Sequence, residues 1–352
     1  MKQTVKVCNK SNLESALKEL SNAKLIVMTT QADGFEQCVK KMGELVPDVP
    51  NIGVCGQGYY ELKDCPNDII LVGFYDCEAI ADIFNDINKP ILSVHRLMKH
   101  VEEIRGNANN TVCLDFSTGN DSVVITTFNT CLDDRGIPLI GGTSWDTRVS
   151  YNGVVYENAC VYALIKNNSG TIKAYMENIY TIDESMPDFI ATKIDEKIPK
   201  IITLNNQSAA KVYQETLNIK ESDIENQTFK NPIGRIVGDK IYIISVKNKC
   251  PDGSLETYKR ANSMDALTIL KLGDYDSIIK DTVSNIKKDI PSIKGIFSIN
   301  CLFRYFMFND FHYTGDYLKT MNQLNNHVGF VACGEHYRTQ HVNQTMTCFV
   351  FD

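Results

Sequence analysis

The sequence has no long apolar run, no block of basic residues and no regularly spaced cysteines. No stretch of about 18 apolar residues occurs, which excludes a transmembrane helix and argues against a membrane as a partner. Met1 to Cys8 lacks the uninterrupted apolar segment of a signal peptide, so we expect a cytoplasmic protein. Without a Lys/Arg block, and with a net charge of -7, the chain is not expected to bind nucleic acid.

The 12 cysteines are scattered singly, without a C-x-x-C pair or the spacing of metal ligands. We expect most of them to be reduced thiols that fill core positions, which favours a reducing compartment. The bias toward Ile, Asn and Lys is consistent with an AT-rich genome.

With 352 residues, 43% of them hydrophobic, the chain is long enough for two domains. A charged segment followed by Pro199 precedes a short strand and a new helical pattern, which places the predicted boundary near residue 200. We therefore predict domains over residues 1–200 and 201–352.

Helical and strand patterns alternate along the chain, beginning with a helix at Asn12–Leu20 and a buried strand at Lys24–Met28. Helices are also predicted at Ile80–Ile87 and Val94–Ile104, and the C-terminal segment Thr345–Phe351 reads as a strand. The pattern predicts a mixed α/β (α+β) fold in which each domain has a β-sheet packed by helices.

Two segments near the C-terminus are rich in reactive side chains. Gly329–His336 is an apolar strand that ends in Cys333, Gly334, Glu335 and His336, and His341–Thr345 follows it. Strand ends commonly present ligand-binding side chains, so these segments are the first candidates for a site.

Several ordered motifs resemble the FIST N-terminal and C-terminal domains. Gly141-Gly142-Thr143-Ser144-Trp145-Asp146, followed by Asn152-Gly153, is similar to the first domain's "G-G-x-x-x-D … n-G" pattern. Phe297–Arg304 is similar to the second domain's "F-S-C-x-x-R" strand end, and Gly329–Glu335 with His341–Thr345 is similar to its "G-F-x-x-x-G-E … h-x-x-x-T" pattern. The resemblance covers about residue 24 to the C-terminus. Gly53–Gly58 and Gly329–Gly334 also echo each other, which suggests that the two domains are related halves.

The resemblance implies a sensory module of prokaryotic signal transduction that binds a small ligand and acts through a downstream signalling protein. The expected bacterial sensor is not an enzyme, and an amino acid or similar metabolite would bind in a pocket between the two domains. The residues expected to line that pocket are Gly141, Gly142, Thr143, Cys301, Arg304, Gly334, Glu335 and Thr345. One branch of the family binds haem and responds to nitric oxide, so a haem-binding nitric-oxide sensor is the alternative, with His341 and His336 as the candidate haem ligands here.

The same residues allow other interpretations. The glycine pair fits a tight strand exit that needs positive φ as well as a polar pocket with exposed amides. Arg304 fits a buried ion pair with Glu335 as well as a bidentate contact with a ligand carboxylate. Cys333 or Cys301 could be a nucleophile if His336 or His341 served as its base, which is the enzyme alternative.

Overall fold

The computed structural model describes residues 1–119, 121–238 and 240–352. The α-helices in these residues are α1 (Leu13–Glu19), α2 (Ala32–Leu45), α3 (Val94–Ile104), α4 (Asp121–Leu132), α5 (Ala209–Leu217), α6 (Tyr275–Asp289), α7 (Leu302–Asp310) and α8 (Thr314–Met321). Among the described residues, no helix combines the length and apolar character that crossing a bilayer requires.

Strands supply most of the remaining regular structure. In the first half of the chain they are β1 (Lys2–Cys8), β2 (Leu25–Thr30), β3 (Asn51–Cys55), β4 (Gly58–Tyr60), β5 (Lys63–Cys65), β6 (Ile69–Tyr75), β7 (Cys77–Phe84), β8 (Thr111–Ser117), β9 (Leu139–Thr143), β10 (Val149–Tyr151), β11 (Val154–Tyr156), β12 (Cys160–Asn167) and β13 (Ile172–Asn178). In the second half they are β14 (Tyr180–Ile182), β15 (Phe189–Ile194), β16 (Lys200–Leu204), β17 (Gln207–Ser208), β18 (Ile233–Val237), β19 (Lys240–Ile243), β20 (Val246–Lys249), β21 (Leu255–Thr257), β22 (Ala266–Leu272), β23 (Gly295–Cys301), β24 (His327–Ala332), β25 (Glu335–Tyr337), β26 (Gln340–Val342) and β27 (Thr345–Phe351). The prediction of a mixed α and β fold is confirmed.

The chain forms two compact units that are not consecutive in sequence. Unit 1 contains Met1–Glu177, Ile279–His341 and Thr345–Asp352, and unit 2 contains Asn178–Ile278 and Val342–Gln344. The two units are defined by which residues contact one another in space. The predicted boundary near residue 200 is instead defined by a change of pattern along the sequence. The division into domains 1–200 and 201–352 stays a prediction.

Unit 1 contains three six-stranded sheets. Their strand orders are β1-β6-β2-β3-β10-β11, β26-β25-β9-β8-β12-β7 and β13-β27-β23-β24-β4-β5. Each sheet contains one parallel pair with a helical crossover: β2 and β3 through α2, β8 and β9 through α4, and β23 and β24 through α7 and α8. The short strand–helix–strand segments in the sequence favour this arrangement because a parallel pair needs a long crossover connection.

The core of unit 1 lies among these sheets. One apolar cluster includes Leu25 of the first sheet, Val112 of the second and Phe297 of the third. Helices α1 and α2 bury apolar residues against the first sheet, and α3 and α4 do the same against the second. The strand ends that carry the candidate side chains are therefore held by a shared core.

Unit 2 is built around a nine-stranded sheet. Its main path is β19-β18-β22-β15-β16-β21-β20, and β14 and β17 pair with β22 and β16. Helix α5 contributes Ala209, Val212 and Tyr213 to the apolar core of this unit.

The predicted helix at Ile80–Ile87 is wrong, because most of this segment forms strand β7. Ile80, Ile83, Phe84 and Ile87 have helical spacing, which is why the sequence pattern favours a helix. In the structure, β7 pairs with β12 over its whole length, from Cys77 to Phe84. A complete ladder of backbone hydrogen bonds outweighs the local pattern here.

Candidate functional site

The ends of three crossover units meet inside unit 1. At the end of β9, the Thr143 amide donates to the Gly334 carbonyl at 3.1 Å, and the Cys333 amide donates to the Thr143 carbonyl at 2.9 Å. The Val331 amide donates to the Gln57 carbonyl at 2.8 Å, which adds the segment after β3. The carboxyl ends of parallel strands are common ligand sites in α/β proteins, so this region is a reasonable place for function.

The glycine pair on β9 provides space for neighbouring atoms. A Cβ at Gly141 would lie 1.8 Å from Asp115 Oδ1, and one at Gly142 would lie 2.7 Å from the Ala332 Cβ. Neither glycine has positive φ, whereas Gly334 has φ of 112°. Glycine is therefore required at both positions because neighbouring atoms approach the backbone closely, and not because the strand ends there with positive φ.

Strand β25 is paired antiparallel to the same glycines. Glu335 lies opposite Gly142, and His336 lies opposite Gly141. The structure thus joins the predicted glycine motif and the predicted C-terminal motif in one sheet. Next to this junction, Thr143 Oγ1 is buried and has no hydrogen-bond partner within the described residues.

Arg304 lies in the first turn of helix α7 and is fully buried. Its Nη2 forms an ion pair with Glu177 Oε1, so the expected partner Glu335 is not its direct partner. The guanidinium carbon lies 5.0 Å from the Phe308 ring centroid and 5.4 Å from that of Tyr317, which adds cation–π contacts. Its Nε and Nη1 have no hydrogen-bond partner in the part of the chain that the structure describes.

Glu335 lies in the same charged cluster. Its Oε2 accepts hydrogen bonds from Thr345 Oγ1 at 2.7 Å and from the Thr345 amide at 3.3 Å. Burial by itself lowers the pKa of Arg304, but the charges of Glu177 and Glu335 are among the effects that outweigh it, and the net pKa is raised. The cluster holds Arg304 permanently charged.

His336 lies between two aspartates. Its Nδ1 is 2.7 Å from Asp115 Oδ2, its Nε2 is 3.3 Å from Asp121 Oδ1, and the side chain is fully buried. Burial alone lowers the pKa of His336, but Asp115 and Asp121 outweigh it and raise the pKa to about 10. Burial raises the pKa of Asp115, while His336 acts in the opposite direction. The two aspartates therefore favour the protonated, positively charged form of His336.

His341 completes the group from strand β26. Its Nδ1 lies 3.2 Å from Asp121 Oδ2, and its ring centroid is 5.2 Å from that of His336. The two histidines, five residues apart in sequence, therefore meet at one carboxylate. A haem ligand needs a ring nitrogen that faces the iron, and both ring nitrogens of His336 face carboxylates.

The cysteine candidates lie at the strand ends, as their positions in the motifs suggest. Cys301 is buried and Cys333 is half-buried, and all 12 cysteines of the chain are free thiols. A nucleophilic cysteine needs a base within hydrogen-bond reach. His336 directs both of its ring nitrogens at aspartates, so the geometry does not favour it as that base.

Sequence reasoning missed the three carboxylates that organise the site. Asp115 gives a visible signal, because it interrupts the otherwise apolar strand Thr111–Phe116. Asp121 at the start of α4 and Glu177 on β13 give none, since acidic residues are common in both positions. Only the fold brings them to His336 and Arg304.

Comparisons with known families agree with the motifs. A family model of the FIST N domain matches residues 24–207, and one of the FIST C domain matches residues 209–338. The glycine pair and Glu335 thus belong to different matched segments that share one sheet of unit 1. No curated protein matches the chain.

Proposed function

We propose that this chain, which belongs to the FIST family of sensory signal-transduction domains, binds an amino acid or similar small metabolite. The buried guanidinium of Arg304 carries this proposal. Two of its nitrogens, Nε and Nη1, lack acceptors within the described residues, and a buried cation normally satisfies its donors. A ligand carboxylate would supply the missing acceptors in a geometry that guanidinium groups favour.

The surrounding charges suit a zwitterion better than a simple anion. Glu177 already pairs with Arg304, and the charge of Glu335 also acts on it. Glu177 and Glu335 together already outweigh the single positive charge of Arg304. A ligand anion would add further negative charge unless the ligand also carried a positive group. An α-amino acid brings both, so its carboxylate would contact Arg304 and its ammonium group would contact Glu335.

Binding would require a local change of conformation. Arg304 is fully buried, and the rings of Phe308 and Tyr317 lie against its guanidinium. Both rings belong to the crossover helices α7 and α8. A ligand that binds the open form better than the closed form would shift the population toward it, which is the requirement for a sensor. The change in these helices would be passed to a downstream signalling protein in the cytoplasm.

A thermal-stability screen of the native chain tests this proposal. Amino acids and their decarboxylated and deaminated analogues would be compared, because the zwitterion argument requires both charged groups. A ligand at 100 times its dissociation constant stabilises the folded state by about 2.7 kcal/mol. We expect an amino acid to stabilise the chain, while neither analogue does.

The variant Arg304→Lys keeps the positive charge but removes the planar fork of donors. Arg96→Lys is the matched control, because Arg96 also lies beside a carboxylate, with its Nε 3.2 Å from Asp82 Oδ2. The ligand should stabilise Arg96→Lys and have little effect on Arg304→Lys. If Arg304→Lys does not fold, Glu335→Gln provides the same comparison. An equal response of all variants, or no response from any chain, would exclude this site.

A further inference from the structure

Asp121, His336 and His341 place three metal-ligating groups together in unit 1. Their candidate ligand atoms all lie within 4.8 Å of one another. The three residues come from the start of helix α4, strand β25 and strand β26, so the fold assembles them from separate places in the sequence. We infer that they bind one divalent transition-metal ion.

The distances suit a small ion. His336 Nε2 lies 3.3 Å from Asp121 Oδ1, and His341 Nδ1 lies 3.2 Å from Asp121 Oδ2. Zinc bonds of about 2.0–2.1 Å at tetrahedral angles separate neighbouring ligand atoms by about 3.3–3.4 Å. Each imidazole nitrogen therefore lies at about that separation from one oxygen of Asp121, Oδ1 for His336 and Oδ2 for His341.

Asp115 orients the central histidine. Its Oδ2 lies 2.7 Å from His336 Nδ1, so in a metal-bound, neutral imidazole the ring proton would stay on Nδ1 and the lone pair of Nε2 would face Asp121 and the ion. Metal-binding histidines commonly have such a carboxylate behind them. The Nε2 atom is buried without a directed hydrogen bond to any described residue, which is the arrangement expected of a ligand atom.

A bound cation would take the place of the extra proton that His336 otherwise carries between the two aspartates. With neutral imidazoles, Asp115 and Asp121 would place two negative charges in a buried group, an arrangement that is costly without a compensating charge. Without a proton or an ion on His336 Nε2, its lone pair would also face those of Asp121 Oδ1 at 3.3 Å. A divalent ion between these atoms would remove both problems.

The backbone makes room for this arrangement. A side chain at residue 141 would collide with Asp115 Oδ1 at 1.8 Å, so glycine at that position allows the carboxylate to reach His336. The other side of the site reaches solvent, since the side chains of His341 and Asp121 are 9% and 10% exposed. An ion could therefore enter, and water could occupy a further coordination position.

The ligand chemistry narrows the class of ion. Two imidazoles and one carboxylate suit zinc or iron(II), whereas calcium and magnesium favour sites made of oxygen ligands. The inference does not rest on amino-acid binding, because Arg304 and Glu177 are not among the ligands. Zn²⁺ serves as the thermodynamic probe, and Co²⁺ serves as the spectroscopic one.

The test uses the full chain after treatment with a chelator. Zn²⁺ affinity and stoichiometry would be measured by competition with a chromophoric chelator, and Co²⁺ would be followed by its visible d–d bands. We expect one tightly bound ion per chain. Asp115→Asn should keep this stoichiometry and lower the affinity by about 10- to 100-fold, as for other residues behind a metal ligand.

His341→Gln is the main variant. The His341 side chain is partly exposed, so replacing it should disturb folding less than replacing the fully buried His336. It should lose more affinity than Asp115→Asn and should lose the d–d bands. His100→Gln is the matched control, since His100 Nδ1 also lies near an aspartate, 3.9 Å from Asp82 Oδ2. His100→Gln and Arg304→Lys should both bind the ion like the native chain.

Three results would overturn the inference. The native chain could bind no Zn²⁺ at micromolar concentration, or His341→Gln could bind it as tightly as the native chain does. Added haem could also give a Soret band that depends on His341, which would replace the ion with haem as the ligand of this residue. Loss of amino-acid binding alone would leave the metal site intact.

Discussion

Gly141 lies opposite Asp115 on the neighbouring parallel strand, and the Asp115 carboxylate fills the space that a side chain at residue 141 would need. This relationship connects the glycine motif to the histidine group. The carboxylate extends past Gly141 to His336, which lies opposite the same glycine on the other neighbouring strand. Because residue 141 on β9 is a glycine, Asp115 on β8 can reach His336 on β25 across the strand between them.

Replacing Gly141 with alanine should destabilise the chain. The new Cβ would lie 1.8 Å from Asp115 Oδ1 and 2.4 Å from the Asp115 carbonyl oxygen, so both the side chain and the strand must shift. Overpacking of this kind costs about 1–3 kcal/mol or more. Urea unfolding of the native and variant chains measures the difference directly.

Gly315→Ala is the control for this substitution. Gly315 lies in helix α8, and a Cβ there would meet no atom within 4 Å. Alanine favours a helix over glycine by about 0.5–1 kcal/mol, so this variant should be at least as stable as the native chain. Equal stability of Gly141→Ala and Gly315→Ala would contradict the packing argument.

The sequence predicts the sheets better than it predicts the site. The strands at β2, β23 and β27 can be recognised because each is short, apolar and bounded by polar or turn residues. Strand β7 cannot, since its isoleucines also fit a helical stripe and only pairing with β12 decides the outcome.

The site depends on contacts between distant residues. Arg304 and Glu335 can be selected from their motifs, but the direct partner of Arg304 is Glu177, 127 positions earlier in the chain. His336 likewise meets Asp115 across 221 positions. No local pattern reports such contacts. The pairing of β25 with β9 positions His336, and the fold of unit 1 brings Arg304 of α7 to Glu177 of β13.

The ion pair between Arg304 and Glu177 should show strong coupling. Removing one partner of a buried pair leaves an uncompensated charge and typically costs about 3–5 kcal/mol. Glu177→Gln and Arg304→Met should each destabilise the chain by about that amount, while the double variant should lose much less than the sum. A double-mutant cycle from chemical unfolding gives the coupling energy.

A surface pair provides the comparison. Lys18 and Glu14 lie 2.8 Å apart on helix α1, and both side chains are more than half exposed. Pairs of this type contribute about 0.3–0.5 kcal/mol. If the Arg304–Glu177 coupling energy were no larger than that of the surface pair, the two buried side chains would not be shielded from water as the structure indicates.

His327 should make the stability depend on acid pH. Its Nε2 lies 2.7 Å from Ser298 Oγ, and burial lowers its pKa to about 3. An unfolded histidine has a pKa of about 6.5, so the unfolded chain binds more protons between about pH 3 and pH 6.5. This contribution to stability is present above pH 6.5 and is lost as the pH falls, by up to about 1.4 kcal/mol per pH unit.

His327→Gln should reduce the slope of unfolding free energy against pH in this window. Other buried groups titrate in both chains, so the difference between the two slopes isolates His327. His312→Gln is the control for the substitution itself, because it replaces a histidine that is exposed. Identical slopes for native and His327→Gln chains would show that His327 is protonated within the folded state.

Thr345 should stabilise the chain through its hydroxyl group. Its Oγ1 donates to the buried Glu335 carboxylate at 2.7 Å, and hydrogen bonds to charged groups contribute about 1.5–3 kcal/mol. Thr345→Val keeps the shape of the side chain and should lower the free energy of unfolding by about that amount. Thr126→Val is the control, because the exposed Thr126 hydroxyl donates to the Ser122 carbonyl of its own helix and not, among the described residues, to a carboxylate.

Calorimetric titration with the amino acid that best stabilises the chain tests the sensor most directly. We predict one molecule bound per native chain, a large loss of affinity in Arg304→Lys, and native affinity in Arg96→Lys. Glu335→Gln should weaken binding of the amino acid because the ammonium group loses its partner. Unchanged affinity in Arg304→Lys, or no heat of binding from the native chain, would contradict a ligand site at Arg304.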